Sequence, residues 1–144
     1  MNIKKVVVIG SGTMGSGIAA HLCNANIPVT LLDLKTEISE KARDKIHKSK
    51  PPLLLDKSKI NNIKVGNISD NFSEVKEADW VVEAVVERID IKHDIYKKIF
   101  MERKKGAIVS SNTSSIPIKV LSEHLSEEEK KDFCITHFFN PVRY

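Results

Sequence analysis

A glycine-rich turn near the N-terminus has the spacing of a dinucleotide-binding motif. The residues Gly10-Ser11-Gly12-Thr13-Met14-Gly15 fit G-x-G-x-x-G. Such hexapeptides also occur by chance, but this one follows a β-branched run and opens a helical pattern, the context that the motif requires. Gly10 permits the tight turn, Gly12 lets the backbone approach a pyrophosphate, and Gly15 lets the helix pack on the sheet. The alternative is a turn whose glycines merely interrupt the helix.

An acidic residue at the end of the second apolar run indicates which dinucleotide is bound. A carboxylate at Asp33 can accept hydrogen bonds from both ribose hydroxyls and would repel a 2′-phosphate. The sequence therefore predicts NAD and not NADP as the cofactor. Lys35 is the opposing signal, because its ammonium could partner a phosphate.

Polar side chains that could do acid–base chemistry follow three later apolar runs. They are Glu83 and Glu87, the serine-rich run 110–115, and the segment 137–141. His137 is the only histidine in such a position, and a neutral imidazole can take a proton from an alcohol as hydride leaves the carbon. Ser114 and Asn140 could orient a substrate oxygen or the nicotinamide amide. The alternatives are a histidine that only satisfies hydrogen bonds at a strand end and serines that only cap a helix.

Alternating strands and helices must position these residues. The predicted strands are Ile3–Ile9, Val29–Leu32, Ile63–Val65, Trp80–Val86, Ala107–Ser110 and Phe133–Phe138. The predicted helices are Thr13–Asn26, Glu37–Lys48, Phe72–Glu77, Asp90–Arg103, Ile118–His124 and Glu127–Lys131. This alternation predicts an α/β fold with a doubly wound, mostly parallel sheet in the order 3-2-1-4-5-6, a Rossmann-type dinucleotide-binding domain. The carboxyl ends of its strands would gather the polar clusters at one edge.

Length and composition limit the other classes of function. With 144 residues and 29% charged residues the chain fits one globular domain, residues 1–144. No apolar run is long enough to span a bilayer. The net charge of +4 comes from lysines interspersed with acidic residues, so we predict no nucleic-acid partner. Cys23 and Cys134 show no metal-ligand spacing, and we predict no metal site, free thiols and a cytoplasmic location.

The motifs together resemble the 3-hydroxyacyl-CoA dehydrogenase family, specifically its N-terminal NAD-binding domain. The resemblance runs from Val6 to the last residue. It is carried by the glycine-rich turn with its continuation Ser-Gly-Ile-Ala, by the segment from Ala78 to Glu87, by Ser111-Asn-Thr-Ser-Ser115, and above all by His137-Phe-Phe-Asn-Pro141. The last two motifs are specific to the family and its close relatives, whereas many dehydrogenases share the first.

The resemblance implies an activity and a role for each matching residue. The reaction would be oxidation of an L-3-hydroxyacyl-CoA to the 3-ketoacyl-CoA with reduction of NAD, as in fatty-acid β-oxidation. His137 would be the general base. Ser114 would contact cofactor and substrate, and Asn140 would lie by the nicotinamide. Glu87 and Lys92 would contact NAD.

The sequence departs from the family pattern in three places. The family's glutamate that orients the catalytic histidine follows the His-Phe-Phe-Asn-Pro motif, and neither it nor the C-terminal helical domain lies within these 144 residues. The region after the second strand is shortened, with Pro51-Pro52-Leu53-Leu54-Leu55 in its place. Arg143-Tyr144 replaces the usual continuation, which suggests different substrate contacts. We therefore expect weak or no turnover without a second domain, and either homo-oligomerisation or association with such a domain.

Two other functions stay open at this point. One is a stand-alone, non-catalytic NAD-binding module, although such a module would need only the glycine turn and Asp33. The other is a related dehydrogenase that acts on a hydroxy acid, which the segment 137–141 disfavours.

Overall fold

Strands and helices alternate along the chain, and a computed structural model describes all residues from 1 to 144. The strands are β1 (Val6–Ile9), β2 (Val29–Asp33), β3 (Ile63–Asn67), β4 (Trp80–Glu83), β5 (Ile108–Ser111) and β6 (Phe133–Ile135). The α-helices are α1 (Thr13–Asn24), α2 (Thr36–Lys48), α3 (Ile89–Glu102), α4 (Ile118–Leu121) and α5 (Glu127–Lys130). Two 3₁₀ helices, Lys57–Asn62 and Phe72–Glu77, precede β3 and β4. None of the helices has both the length and the apolar composition needed to cross a bilayer.

The six strands form one parallel sheet in the order β3-β2-β1-β4-β5-β6, which confirms the predicted topology. In the middle of the sheet, Val6 of β1 is aligned with Val29 of β2 on one side and with Trp80 of β4 on the other. The chain crosses from one edge to the middle of the sheet between β3 and β4. The carboxyl ends of β1 and β4 therefore flank the switch point at which such sheets bind ligands.

Strand β1 is buried on both faces, because helices cover both sides of the sheet. Val6 and Val8 pack with α1 and α2, and Val7 and Ile9 pack with α3. All four side chains have 0% exposure. The uninterrupted β-branched run in the sequence is thus explained by a central strand of a parallel sheet.

Three strands are shorter than predicted, and hydrogen bonds to side chains account for each boundary. β1 starts at Val6 because the amides of Lys4 and Lys5 donate to Asp79 Oδ2. β4 ends at Glu83, since the amide of Val85 donates to the Glu83 carboxylate. β6 ends at Ile135, and the amide of Phe138 donates to a side chain on the neighbouring strand end instead of to the ladder.

The segment between α2 and the first 3₁₀ helix is fastened to α1. Asn24 donates to the carbonyl of Leu53 at 2.9 Å and accepts from the amide of Leu55 at 2.9 Å. Leu54 is buried in the core, whereas Leu55 is exposed. The apolar residues after Pro51-Pro52 therefore contribute a core side chain to this domain.

Candidate active site

The glycine-rich turn closes tightly at two of its glycines and stays open at the third. Gly10 has φ +101°, and a Cβ there would lie 2.4 Å from the carbonyl oxygen of Ala84. A Cβ on Gly15 would lie 1.8 Å from the carbonyl oxygen of Gly10. A Cβ on Gly12 would meet no atom within 4 Å. The chain thus leaves free space beside Gly12, where a pyrophosphate would approach the backbone.

Helix α1 presents an uncapped N-terminus to that space. Its N-cap residue is Gly12, no side chain caps the helix, and its first turn holds no acidic residue. The amides of Thr13, Met14 and Gly15 lie ahead of the first intrahelical bond, in which Ser16 donates to the Gly12 carbonyl. Free N–H groups and the positive end of the helix favour an anion here.

Asp33 at the end of β2 is held towards the turn by Ser11. Its Oδ2 accepts hydrogen bonds from the Ser11 amide at 2.7 Å and the Ser11 hydroxyl at 2.5 Å. Its Oδ1 accepts from the amide of Leu34 at 2.7 Å. A carboxylate has about four acceptor positions, so one remains, on Oδ1, for a ribose hydroxyl.

Two cavities open at the carboxyl ends of the strands, on either side of segment 84–86. One, of about 360 Å³, contains Asp33 and the start of the glycine turn within apolar walls. The other, of about 400 Å³, contains the polar residues that follow β4, β5 and β6. Each is large enough for one half of a dinucleotide, and both border Ala84, Val85 and Val86.

The second cavity brings together the residues predicted for acid–base chemistry. It is lined by His137, Ser114, Asn140 and Glu87, together with Met14. The imidazole of His137 is exposed, and its ring centroid lies 4.9 Å from that of Phe139. An exposed imidazole beside a hydroxyl and an amide can exchange a proton with an alcohol that enters the cavity.

Asn112 is a residue of this cavity that sequence reasoning did not select. Its Oδ1 accepts a hydrogen bond from the amide of Phe138 at 2.9 Å, directly after His137. The backbone N–H of Asn112 donates to the Glu83 carbonyl, so Asn112 also connects the end of β5 to β4. Its place after the β5 strand was the only signal in the sequence, because the bond it makes is to a backbone amide far along the chain.

Glu87 is bound to the loop that follows β5. Its Oε2 accepts hydrogen bonds from the hydroxyls of Thr113 at 2.6 Å and Ser115 at 3.1 Å. The ammonium of Lys92 lies 3.2 Å from Oε1. Partial burial opposes ionisation, but the hydrogen bond from Thr113 and the Lys92 charge outweigh it and lower the pKa of Glu87. Glu87 is thus a fixed carboxylate at the cavity wall.

Behind that wall lies a buried polar cluster centred on Glu83. Its Oε2 is 2.6 Å from the Lys92 ammonium, and its Oε1 accepts from the hydroxyls of Tyr96 and Ser111. Glu83 and Lys92 have side-chain exposures of 0% and 1%. Burial and the adjacent Glu83 carboxylate raise the pKa of Tyr96, which therefore stays a neutral donor.

The structure gathers most of the predicted site residues at two cavities and leaves three of them outside. Gly10, Ser11, Gly12 and Asp33 line the first cavity, and Met14, Glu87, Ser114, His137 and Asn140 line the second. Thr13 and Gly15 lie in the first turn of α1. Lys92 is enclosed behind the wall, where it contacts Glu83 and Glu87. Its predicted link to the cofactor would therefore run through Glu87.

Comparison with known proteins identifies relatives over nearly the whole chain. A protein of Rickettsia felis, provisionally named a fatty acid oxidation complex trifunctional enzyme, is 46% identical over 99% of this chain and 21% of its own length. A probable 3-hydroxyacyl-CoA dehydrogenase of Deinococcus radiodurans is 42% identical over 100% of this chain and 44% of its own. The crystal structure of 3-hydroxybutyryl-CoA dehydrogenase from Escherichia coli K12 matches with a TM-score of 0.84 and 28% identity, over 99% of this chain and 31% of that one. The chain thus spans less than half the length of these relatives.

The family described as 3-hydroxyacyl-CoA dehydrogenase, NAD binding domain, matches residues 5–144. This match includes the glycine turn, Asp33 and both cavities at the sheet edge. The cofactor of the family is NAD, in agreement with the carboxylate at the end of β2. The chain therefore belongs to the 3-hydroxyacyl-CoA dehydrogenase family, as its NAD-binding domain.

Proposed function

We propose that this chain is the cofactor-binding part of an enzyme that oxidises L-3-hydroxyacyl-CoA to 3-ketoacyl-CoA, the reaction type of fatty-acid β-oxidation. One observation carries the proposal. A single cavity beside the glycine turn holds His137, Ser114, Asn140 and Glu87 together. A module that only bound NAD would not need a general base such as His137 among these residues.

The residues of the glycine turn fit a dinucleotide, since the free space at Gly12 faces an uncapped helix start. In this proposal the amides of Thr13, Met14 and Gly15 bind the pyrophosphate, and Asp33 Oδ1 accepts a hydrogen bond from a ribose hydroxyl. Glu87 and Asn140 line the nicotinamide side of the crevice. Lys92 and Thr113 hold the Glu87 carboxylate in place.

His137 then acts as the general base on the substrate hydroxyl. An unprotonated ring nitrogen takes the hydroxyl proton, and the Ser114 hydroxyl orients the substrate oxygen. Bound NAD supplies the hydride acceptor. Phe138 and Phe139 form part of the apolar side of the cavity.

A second domain would complete the site. We propose that residues 1–144 work with a helical domain of the kind that the family resemblance implies, which would close over the acyl-CoA and supply a carboxylate partner for His137. The relatives are more than twice as long as this chain, which is consistent with such a domain. Homo-oligomerisation and a cytoplasmic location remain predictions from the sequence.

A fluorescence titration of the purified chain with NADH, run beside NADPH, tests the cofactor site. We expect saturable NADH binding that is clearly tighter than NADPH binding. Asp33→Asn should weaken NADH binding by about tenfold or more, because hydrogen bonds to a charged acceptor contribute about 1.5–3 kcal/mol each. Lys35→Ala is the matched control and should leave both affinities unchanged. Equal affinity for the two nucleotides would contradict the role of Asp33.

Turnover of acetoacetyl-CoA with NADH tests the catalytic half. The assay adds a separately expressed helical domain from a full-length relative, and we expect activity that His137→Ala abolishes while NADH binding is retained. NADH binding with no turnover under any of these conditions would favour a non-catalytic binding module.

A further inference from the structure

A third cavity, of about 460 Å³, lies between α3 and the segment that follows α4. It shares no lining residue with either cofactor cavity. His93 of α3 and His124, beyond the end of α4, both line it. Neither histidine has a part in the proposed dehydrogenase reaction.

The two imidazoles and one carboxylate converge at the rim of this cavity. The ring centroids of His93 and His124 are 4.4 Å apart, with an interplanar angle of 75°. Glu123 lies beside them, and one ligand atom from each of the three residues lies within 4.8 Å of those of the other two. His93 and His124 are far apart in sequence, so no motif reveals the pair, and the sequence alone predicted no metal site.

His93 is already held as a metal-ligating histidine would be. Its Nε2 lies 2.8 Å from the carbonyl oxygen of Val120 in α4. A carbonyl oxygen only accepts, so Nε2 carries the proton and Nδ1 of the neutral ring keeps its lone pair. Histidine ligands of metal ions commonly donate their other N–H to a backbone carbonyl in this way, which fixes the tautomer and the ring orientation.

We propose that His93, Glu123 and His124 form a binding site for a divalent transition-metal ion of the zinc class. Two imidazoles and a carboxylate suit such an ion better than Mg²⁺ or Ca²⁺, which prefer oxygen ligands. Glu123 and His124 are exposed, so their side chains are free to rotate towards an ion near His93. Three protein ligands leave a fourth position for water.

The charges around the cavity favour a cation on balance. Asp94 and Glu129 also line it, and Lys97 is the one lysine or arginine that does. Bound metal would join α3 to the segment after α4, in addition to the hydrogen bond from His93 to Val120. The ion would therefore stabilise this side of the domain without touching the cofactor crevice.

Titration of the chelator-treated chain with Zn²⁺ by calorimetry, and with Co²⁺ by visible absorption, tests the proposal. We expect one saturable site per chain, d–d absorption bands from bound Co²⁺, and a Tm that rises with Zn²⁺ but not with Mg²⁺. His124→Ala should weaken Zn²⁺ binding at least about tenfold, the scale on which outer-shell partners alone act. Glu123→Gln should weaken it to a smaller extent.

His47→Ala is the matched control, because His47 is an exposed histidine on α2 outside the cluster. It should bind Zn²⁺ as the unmodified chain does. Circular dichroism of each variant checks that the fold is kept, and all three substitutions lie at exposed positions. Absence of saturable Zn²⁺ binding, or binding that His124→Ala leaves unchanged, would overturn the proposal.

Discussion

At the residue scale, the buried Glu83–Lys92 pair is the main electrostatic feature behind the candidate active site. The Glu83 carboxylate accepts from Lys92, Tyr96, Ser111 and the amide of Val85. Such a charge is tolerated in the interior because each of its hydrogen-bonding positions is filled. Lys92 also contacts Glu87, so the pair fixes a residue of the cavity wall from behind.

Lys92→Met should therefore destabilise the chain strongly. Removal of one partner leaves the Glu83 charge buried and unpaired, which costs about 3–5 kcal/mol in the free energy of unfolding. Urea denaturation measures this change in the free energy of unfolding. Lys97→Met, an exposed lysine on the same helix, is the control and should change stability by less than about 0.5 kcal/mol. If Lys92→Met and Lys97→Met destabilised the chain to a similar extent, loss of the Glu83–Lys92 ion pair would not explain the destabilisation.

At the element scale, the turn between β1 and α1 contains one glycine that the fold requires and another that only cofactor binding requires. Gly15 is needed for packing, because a Cβ would overlap the Gly10 carbonyl. Gly12 has a φ of −67°, which any residue can adopt, and free space around it. The fold therefore does not require a glycine at position 12. A pyrophosphate lying on the backbone would require one, because a side chain would occupy its space.

Gly12→Ala and Gly15→Ala should accordingly have different effects. Gly12→Ala should keep the urea midpoint and weaken NADH binding, since its methyl group occupies the space for the pyrophosphate. Gly15→Ala should lower both the urea midpoint and the affinity for NADH. Overpacking of this kind costs about 1–3 kcal/mol in the free energy of unfolding. Paired unfolding and fluorescence titrations measure the two effects. Unchanged NADH affinity in Gly12→Ala would contradict the assigned position of the pyrophosphate.

Asp79 joins three elements at the amino end of β4. A hydrogen bond from Lys104, together with the amides of Lys4 and Lys5, lowers the pKa of Asp79 to about 2. The carboxylate thus fixes the start of β1 and the segment before β5 to the same strand end. It stabilises the fold only while it is ionised.

The contribution of Asp79 should be present above its ordinary pKa of 3.8 and be lost as the pH falls towards about 2. Asp79→Asn should therefore unfold more easily than the unmodified chain at pH 6 but show a weaker pH dependence between pH 4 and pH 2. Urea midpoints across this range measure the difference. Asp44→Asn, at an exposed position on α2, should leave the pH profile as it is.

At the scale of the whole molecule, apolar side chains are exposed around the carboxyl edge of the sheet. Phe139 is 77% exposed and Tyr144 is 72% exposed. Phe138, which precedes Phe139, is half-buried and packs against the core. Exposed aromatic side chains beside a ligand crevice are typical of a surface that contacts another domain or another copy of the chain.

The isolated chain should therefore self-associate through this edge. Sedimentation velocity over a range of concentrations should give an average mass that rises with concentration, and Phe139→Ser should reduce the rise. Met101→Ser is the control, because Met101 is about as exposed but lies at the cavity between α3 and the segment that follows α4. A clean monomer at high concentration would contradict the prediction.

The order of the sheet followed from the alternation of short apolar runs and amphipathic segments, since right-handed crossovers leave few arrangements for six parallel strands. The ends of β4 and β6 did not follow from it. Residues 84–86 are apolar and residues 136–138 end in a phenylalanine, so both could continue a strand. Instead, the Glu83 carboxylate and the side-chain oxygen of Asn112 accept hydrogen bonds from backbone amides of these segments. Such side-chain competition depends on contacts distant in sequence, which local patterns do not contain.

The sequence by itself determined the fold, the family and the preference for NAD, because glycine spacing, a strand-end acid and alternating polarity are local signals. Only the tertiary structure decided that Lys92 is enclosed between Glu83 and Glu87, that Ser11 holds Asp33, and that Asn112 fixes the chain beside His137. It also brought His93 and His124 together. These contacts join residues from separate parts of the chain. They form only after the parallel sheet has brought the strand ends to a common edge and the helices have packed against each other.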